Sequence, residues 1–133
     1  IRAYGASVET VEQACFAARQ PGITSLQIVF NLFRQNAIDE LFPLAQENDV
    51  GIIVRLPLAS GVLAGKMRKD QVFAKTDHRN YNRDGKFFNV GETFAGIPFE
   101  KGVELADGLK QILPGEIPMV VRVNPIRPDR RAL

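Results

Sequence analysis

Apolar runs of strand length alternate along this chain with amphipathic helical stretches, and that alternation restricts the fold to the α/β class with a parallel sheet. Residues 26–30, Leu-Gln-Ile-Val-Phe, are β-branched or aromatic at most positions and too short for a helix, so they read as a buried strand. Residues 51–54, Gly-Ile-Ile-Val, form the next strand, and residues 2–5 a strand ahead of both. Between them, Val11, Ala14, Cys15 and Ala18 share one face at i, i+3, i+4 and i+7, which predicts a helix over residues 10–19. Thr10-x-x-Gln13 or Ser7 caps it, and Pro21-Gly22 ends it. Ile38, Leu41, Phe42 and Ala45 repeat the spacing and predict a second helix, with Pro43 an objection to its interior. Pro98 opens a third helix with Phe99, Val103, Ala106, Leu109 and Leu113 on one side, stopped by Pro114-Gly115.

The segment 50–66, VGIIVRLPLASGVLAGK, turns from an apolar strand into Pro57, small residues and two glycines, the signature of a strand feeding a ligand-facing loop. Residues 67–96 are polar, lack sustained periodicity, and read as a long loop. Beyond residue 115 come Pro118, Pro125 and Pro128 with Arg122, Arg127, Arg130 and Arg131; only residues 119–123 suit a strand, and 116–133 reads as an irregular tail.

Composition excludes several classes. The 133 residues, 45% hydrophobic and 24% charged, suit one modest globular domain. No apolar run approaches the roughly 18 residues needed to cross a bilayer, and the N-terminus lacks signal-peptide order, so a cytoplasmic location is the expectation. Cys15 is the sole cysteine and His78 the sole histidine, which leaves no internal disulfide and no Cys/His metal cluster. A net charge of +2, with basic and acidic residues interspersed, argues against nucleic acid as a partner. The chain starts at Ile1, as a processed product or an excerpt of a longer reading frame would.

Residues 61–66, GVLAGK, fall short of a Walker A loop: three residues separate the glycines instead of four, and Met67 follows the lysine where Ser or Thr is required. Small residues in such a turn still let an anion approach backbone amides, and Lys66, Arg68, Lys69 and Lys75 lie nearby, although a basic run is usually a solvated face. Asp77-His78-Arg79 has no second carboxylate or nucleophile at a telling distance and reads as solvated loop.

Several separated segments, in order, resemble the aldo/keto reductase family. They are Tyr4-Gly5-Ala6-Ser7-Val8, Leu26-Gln27-Ile28-Val29-Phe30-Asn31-Leu32 and Pro57-Leu58-Ala59-Ser60-Gly61, with Arg79-Asn80-Tyr81-Asn82 and Gly91-Glu92-Thr93-Phe94 similar to one bacterial branch. The resemblance covers residues 1–114 and implies part of a (β/α)8 TIM barrel, about strands 5 to 7 with their helices. A whole barrel takes about 250 residues. The expected domains are therefore a partial barrel over 1–115 and the tail over 116–133.

The resemblance implies a parent activity, NAD(P)H-dependent reduction of an aldehyde or ketone. Position by position, Ser7 and Gln27 match residues that hydrogen-bond the nicotinamide carboxamide, and Leu58 and Ser60 match loop positions near the pyrophosphate. Arg55 stands where the family has an aromatic residue stacking on the nicotinamide, and Val8 where it often has Asn. A guanidinium also lies flat on a ring, but beside an oxidised, cationic nicotinamide its charge is unfavourable. The family's catalytic Asp, Tyr, Lys and His belong to segments this chain lacks; Tyr4, Tyr81 and His78 do not occupy matching motifs. The expected product is an incomplete or frame-shifted fragment, inactive by itself and prone to self-association through open sheet edges. The alternative is a small non-catalytic α/β module that binds a phosphorylated ligand at residues 60–65 or a complementary half-barrel.

Overall fold

A computed structural model describes residues 1–83 and 92–113. The chain forms two compact units, Ile1–Pro57 and Leu58–Leu133. The first is a β-α-β-α-β run: β1 (Tyr4–Ser7), α1 (Val11–Ala18), β2 (Ile23–Val29), α2 (Leu41–Glu47) and β3 (Gly51–Arg55). All three strands are parallel, in the order β1-β2-β3.

Each element has a local cause. Thr10 is the N-cap of α1 in a full capping box: its hydroxyl accepts from the Gln13 amide at 3.1 Å while the Gln13 side chain receives the Thr10 amide. Ser7, the other candidate cap, is instead the last residue of β1. Pro43 is the third residue of α2, within the first turn, where its missing N–H has no intrahelical acceptor to lose. Ile38 lies before that helix and is exposed.

Strand bounds differ from the sequence expectation because pairing decides them. β1 spans 4–7 instead of 2–5: the ladder starts at Tyr4↔Ile23 and continues to Ser7↔Gln27. The same ladder recruits Ile23, Thr24 and Ser25 into β2, ahead of the apolar run that marks it in the sequence. At Gly5 the two strands approach so closely that a Cβ would sit 2.3 Å from Ser25 Oγ and 2.6 Å from the Ser25 carbonyl oxygen. A register irregularity falls between Tyr4 and Gly5.

Side-chain alternation divides the sheet into two faces. Leu26 and Ile28, fully buried, pack with Ala14, Cys15 and Ala18 of α1, Leu41 and Ala45 of α2, and Val50; Ala6 and Ile52 flank them. The opposite face carries Gly5, Ser7, Ser25, Gln27 and Ile53, with Ile53 51% exposed.

In the second unit, residues Ala59–Ala64 form a 3-10 run, followed by α3 (His78–Tyr81), a 3-10 turn at Phe94–Gly96 and α4 (Phe99–Ile112). The sequence marks a loop here but not its backbone: Ala59, Ser60 and Gly61 all take positive φ, two of them against their residue type. Phe99, Gly102, Val103 and Ala106 are the buried stripe of α4, close to the expected one. Phe94 and Phe99 meet at 4.9 Å between ring centres, Phe73 and Phe99 at 5.3 Å, and Arg79 lies over the Phe73 ring at 4.5 Å. Buried Asn82 donates its amide to buried Thr93 at 3.2 Å. The long loop expected over 67–96 thus contains a short helix and a fixed turn among its described residues. Gly91, the Pro114-Gly115 stop, the strand at 119–123 and the tail at 116–133 lie outside the described residues.

Among the described residues no helix is long and apolar enough to cross a membrane. Nor do they include a group of three His, Cys, Asp or Glu able to hold a metal ion.

Candidate cofactor-binding site

Parallel α/β proteins build sites at the C-terminal ends of their strands, where side chains leave the sheet beside loops free to vary. In the first unit this end holds Ser7, Gln27 and Arg55. The register pairs Ser7 with Gln27 and Gln27 with Ile53, so Ser7, Gln27 and Ile53 share one row on the face away from the helices. Val29 and Arg55 pair two residues further along, and Arg55 closes β3 half-buried.

Ser7 and Gln27 are joined directly: the serine hydroxyl donates to the Gln27 side-chain oxygen at 3.1 Å. That bond uses the serine proton and the amide carbonyl. The Ser7 oxygen keeps acceptor capacity, and the Gln27 amide nitrogen keeps its donors. A serine at an exposed strand end and a half-buried glutamine thus present an acceptor beside a donor.

Two residues that sequence reasoning did not single out as site residues fix the loops around this end. Asn31, buried, donates its amide to the Leu56 carbonyl at 3.0 Å and accepts from the Phe33 amide at 2.9 Å. It pins the chain after β2 to the chain after β3, where Leu56 takes a positive φ of 51°. Arg34 reaches the other way and donates to the Glu9 carbonyl at 3.1 Å, tying the same loop to the one after β1. A polar Asn directly after the apolar run 26–30 is the available sequence signal; Arg34 carries none.

Leu58 and Ser60 belong to the second unit, both half-buried. The Ser60 hydroxyl donates to the Glu92 carbonyl at 3.3 Å and accepts from the Phe94 amide at 3.2 Å, so it bridges the turn at 59–61 to that at 92–94. Of the five sequence-predicted residues, the sheet thus joins Ser7 to Gln27 and sets Arg55 two residues further along the same face, while Leu58 and Ser60 belong to the other unit, where Ser60 serves that unit's turn.

Tyr4 and His78, which do not occupy the family's catalytic motifs, have local partners. The Tyr4 hydroxyl donates to the Pro21 carbonyl, at the N-terminal end of β1. His78 opens α3 beside Asp77, which caps that helix by accepting from the Arg79 amide. Hydrogen bonds from the Arg79 guanidinium and amide hold the Asp77 carboxyl at about 2, below the ordinary carboxylate range.

Parallel strands joined by helices, with polar side chains gathered at their C-terminal ends, define an α/β protein built of βα units, the class to which (β/α)8 barrels belong. The family model for the aldo/keto reductase family matches residues 1–114, and the chain belongs to that family. It is 34% identical over 88 residues to the aldo-keto reductase YhdN of Bacillus subtilis (strain 168), a match covering 65% of this chain and 26% of that protein. The solved structure of the glycerol dehydrogenase AKR11B4 from Gluconobacter oxydans superposes with a TM-score of 0.60 at 26% identity, covering 84% of this chain and 32% of that one. The chain therefore spans about a quarter to a third of the length of these relatives.

Proposed function

We propose that this chain is the cofactor-reading part of an NAD(P)H-dependent aldo/keto reductase, contributing the wall that holds the nicotinamide carboxamide. The Ser7–Gln27 pair carries the reading. A primary carboxamide offers one carbonyl acceptor and one NH2 donor, and the pair presents the complementary donor, Gln27 Nε2, and acceptor, Ser7 Oγ. Two such bonds at the ends of adjacent strands fix a planar ring in one orientation, which lets one face be presented to a substrate. When bound, the nicotinamide supplies the hydride that reduces an aldehyde or ketone.

Arg55, one step along the same face, flanks the ring position, and the resemblance matches Leu58 and Ser60 of the second unit to positions near the pyrophosphate. Ser60 contributes through the turn it stabilises, since its hydroxyl is engaged with residues 92 and 94. The proton donor and its partners belong to sequence this chain does not contain, so the 133 residues bind cofactor without turnover. Within the barrel the segment occupies strands five to seven, in a cytoplasmic protein. The open edges of β1 and β3 invite self-association.

Fluorescence titration of the purified chain with NADPH tests this. Saturable binding, weakened about 3- to 10-fold by Gln27→Leu or Ser7→Ala as expected for loss of one neutral hydrogen bond, supports the proposal. Equal affinity in parent and variants, or reduction of a test aldehyde by the chain alone, overturns it.

A further inference from the structure

We propose that the groove between α1 and α2 is a docking surface for a basic amphipathic helix of a partner protein. The groove has a volume of about 600 Å³. Each helix lines it with one complete i, i+3, i+4, i+7 stripe: Glu12, Cys15, Phe16 and Arg19 from α1, and Glu40, Pro43, Leu44 and Glu47 from the start and body of α2. In both stripes the two middle positions are apolar and the two ends charged, so an apolar floor lies within a charged rim. Phe16 is 69% exposed and lies outside the buried core cluster.

Charge defines the occupant. The carboxylates of Glu12, Glu40 and Glu47 are exposed and make no hydrogen bond or ion pair among the described residues. The single cation of the rim, Arg19, turns back along its own helix and donates to the Cys15 carbonyl at 3.0 Å. Because α1 and α2 follow parallel strands, they start at the same end, which places Glu12 and Glu40 together and leaves Arg19 and Glu47 at the other. One end of the groove is purely acidic and the other mixed, so a ligand helix seats its lysines or arginines at the Glu12/Glu40 end.

The stripe length suits a helix. Glu12 and Arg19 are seven positions apart along α1 and its C-cap, about 10 Å or two helical turns, the contact one helix makes when its ridge lies in the groove between two others. A second copy of this chain is disfavoured, since a symmetric contact would set the same acidic rim against itself. An anionic membrane is disfavoured for the same reason.

The test uses the full 133-residue chain and a fluorescein-labelled peptide of about three turns, with leucines at i, i+3, i+4 and i+7 and lysines elsewhere. Fluorescence anisotropy is expected to show saturable binding that weakens with salt. Binding should fall about tenfold in the double variant Glu12→Lys, Glu40→Lys and by a similar factor in Phe16→Ser. The matching glutamate/leucine peptide is expected to bind the double variant better than the parent, a gain that a misfolded variant cannot produce. Equal binding of both peptides to the parent, unchanged binding in the double variant, or self-association abolished by Phe16→Ser in sedimentation equilibrium overturns the proposal.

Discussion

Gly5→Ala links the packing of the sheet to its polar pair. An alanine Cβ at position 5 would lie 2.3 Å from Ser25 Oγ and 2.6 Å from the Ser25 carbonyl oxygen. The hydroxyl can rotate away, but the carbonyl belongs to the β2 backbone, so one strand must shift. Overpacking of this kind costs about 1–3 kcal/mol, and an alanine in a strand returns about 0.5–1 kcal/mol relative to glycine. A contact with backbone places the cost near the upper end, for a net loss of about 2 kcal/mol. For a unit of this size that lowers the thermal midpoint by about 8–16 °C. Ser7 lies two residues along β1 on the same face, so the shift also pulls its hydroxyl from Gln27. Thermal unfolding by far-UV circular dichroism, with NADPH titration of the same samples, reads both effects. Adding Ser25→Gly removes the hydroxyl contact but not the carbonyl contact, so it should restore only part of the loss. A Gly5→Ala chain within about 0.5 kcal/mol of the parent would refute the argument from close strand approach.

Asn31→Ala strips the buried clamp from both the Leu56 carbonyl and the Phe33 amide, and a loss of about 1–3 kcal/mol is expected, with faster hydrogen exchange at Phe33. Asp77 has a folded pKa depressed to about 2 from 3.8, so its contribution is present above about pH 4 and is lost as pH falls toward 2. The stability difference between the parent and Asp77→Asn, measured by denaturant titration across that interval, should therefore shrink as the solution is acidified, and a constant difference would count against the Arg79 pairing.

The readable parts of this fold were those with a local cause. The capping box at Thr10 and Gln13, the stripe of α4 and the strand type of residues 26–29 and 51–54 rest on short-range periodicity and chemistry. Strand ends escaped because the polar pair Thr24 and Ser25 separates Ile23 from the apolar run, and these three are strand by virtue of pairing with β1. The loop after Pro57 was legible but the backbone of its turn at 59–61 was not, because Ala and Ser give no sign of left-handed conformation, which the surrounding contacts impose. The ring cluster of Phe73, Phe94 and Phe99 spans a polar stretch without periodicity, so no window of sequence links its members. At the site, the resemblance indicated Ser7 and Gln27, and the register explains why those two meet. Asn31 leaves only the faint signal of a polar residue after an apolar run, and Arg34, which donates to the Glu9 carbonyl, an acceptor common to every residue, leaves none.

The polar face of the sheet supplies a way to separate cofactor recognition from structural need. Parallel sheets are ordinarily covered on both faces by apolar side chains, yet the central strand here keeps Ser25 and Gln27 on the face opposite the helices. If Gln27 serves the fold, Gln27→Leu must destabilise it. The geometry argues the reverse: its side chain accepts from Ser7, an exposed residue whose hydroxyl returns to water at little cost. A leucine at this half-buried position beside Ile53 adds apolar contact on the same row. Stability is therefore expected to stay level or rise by up to about 1 kcal/mol, while NADPH affinity falls. Opposite signs for the two measurements in one variant would be the mark of a residue kept for its ligand. A parallel fall in both would assign Gln27 to the sheet and leave the carboxamide reading without its donor.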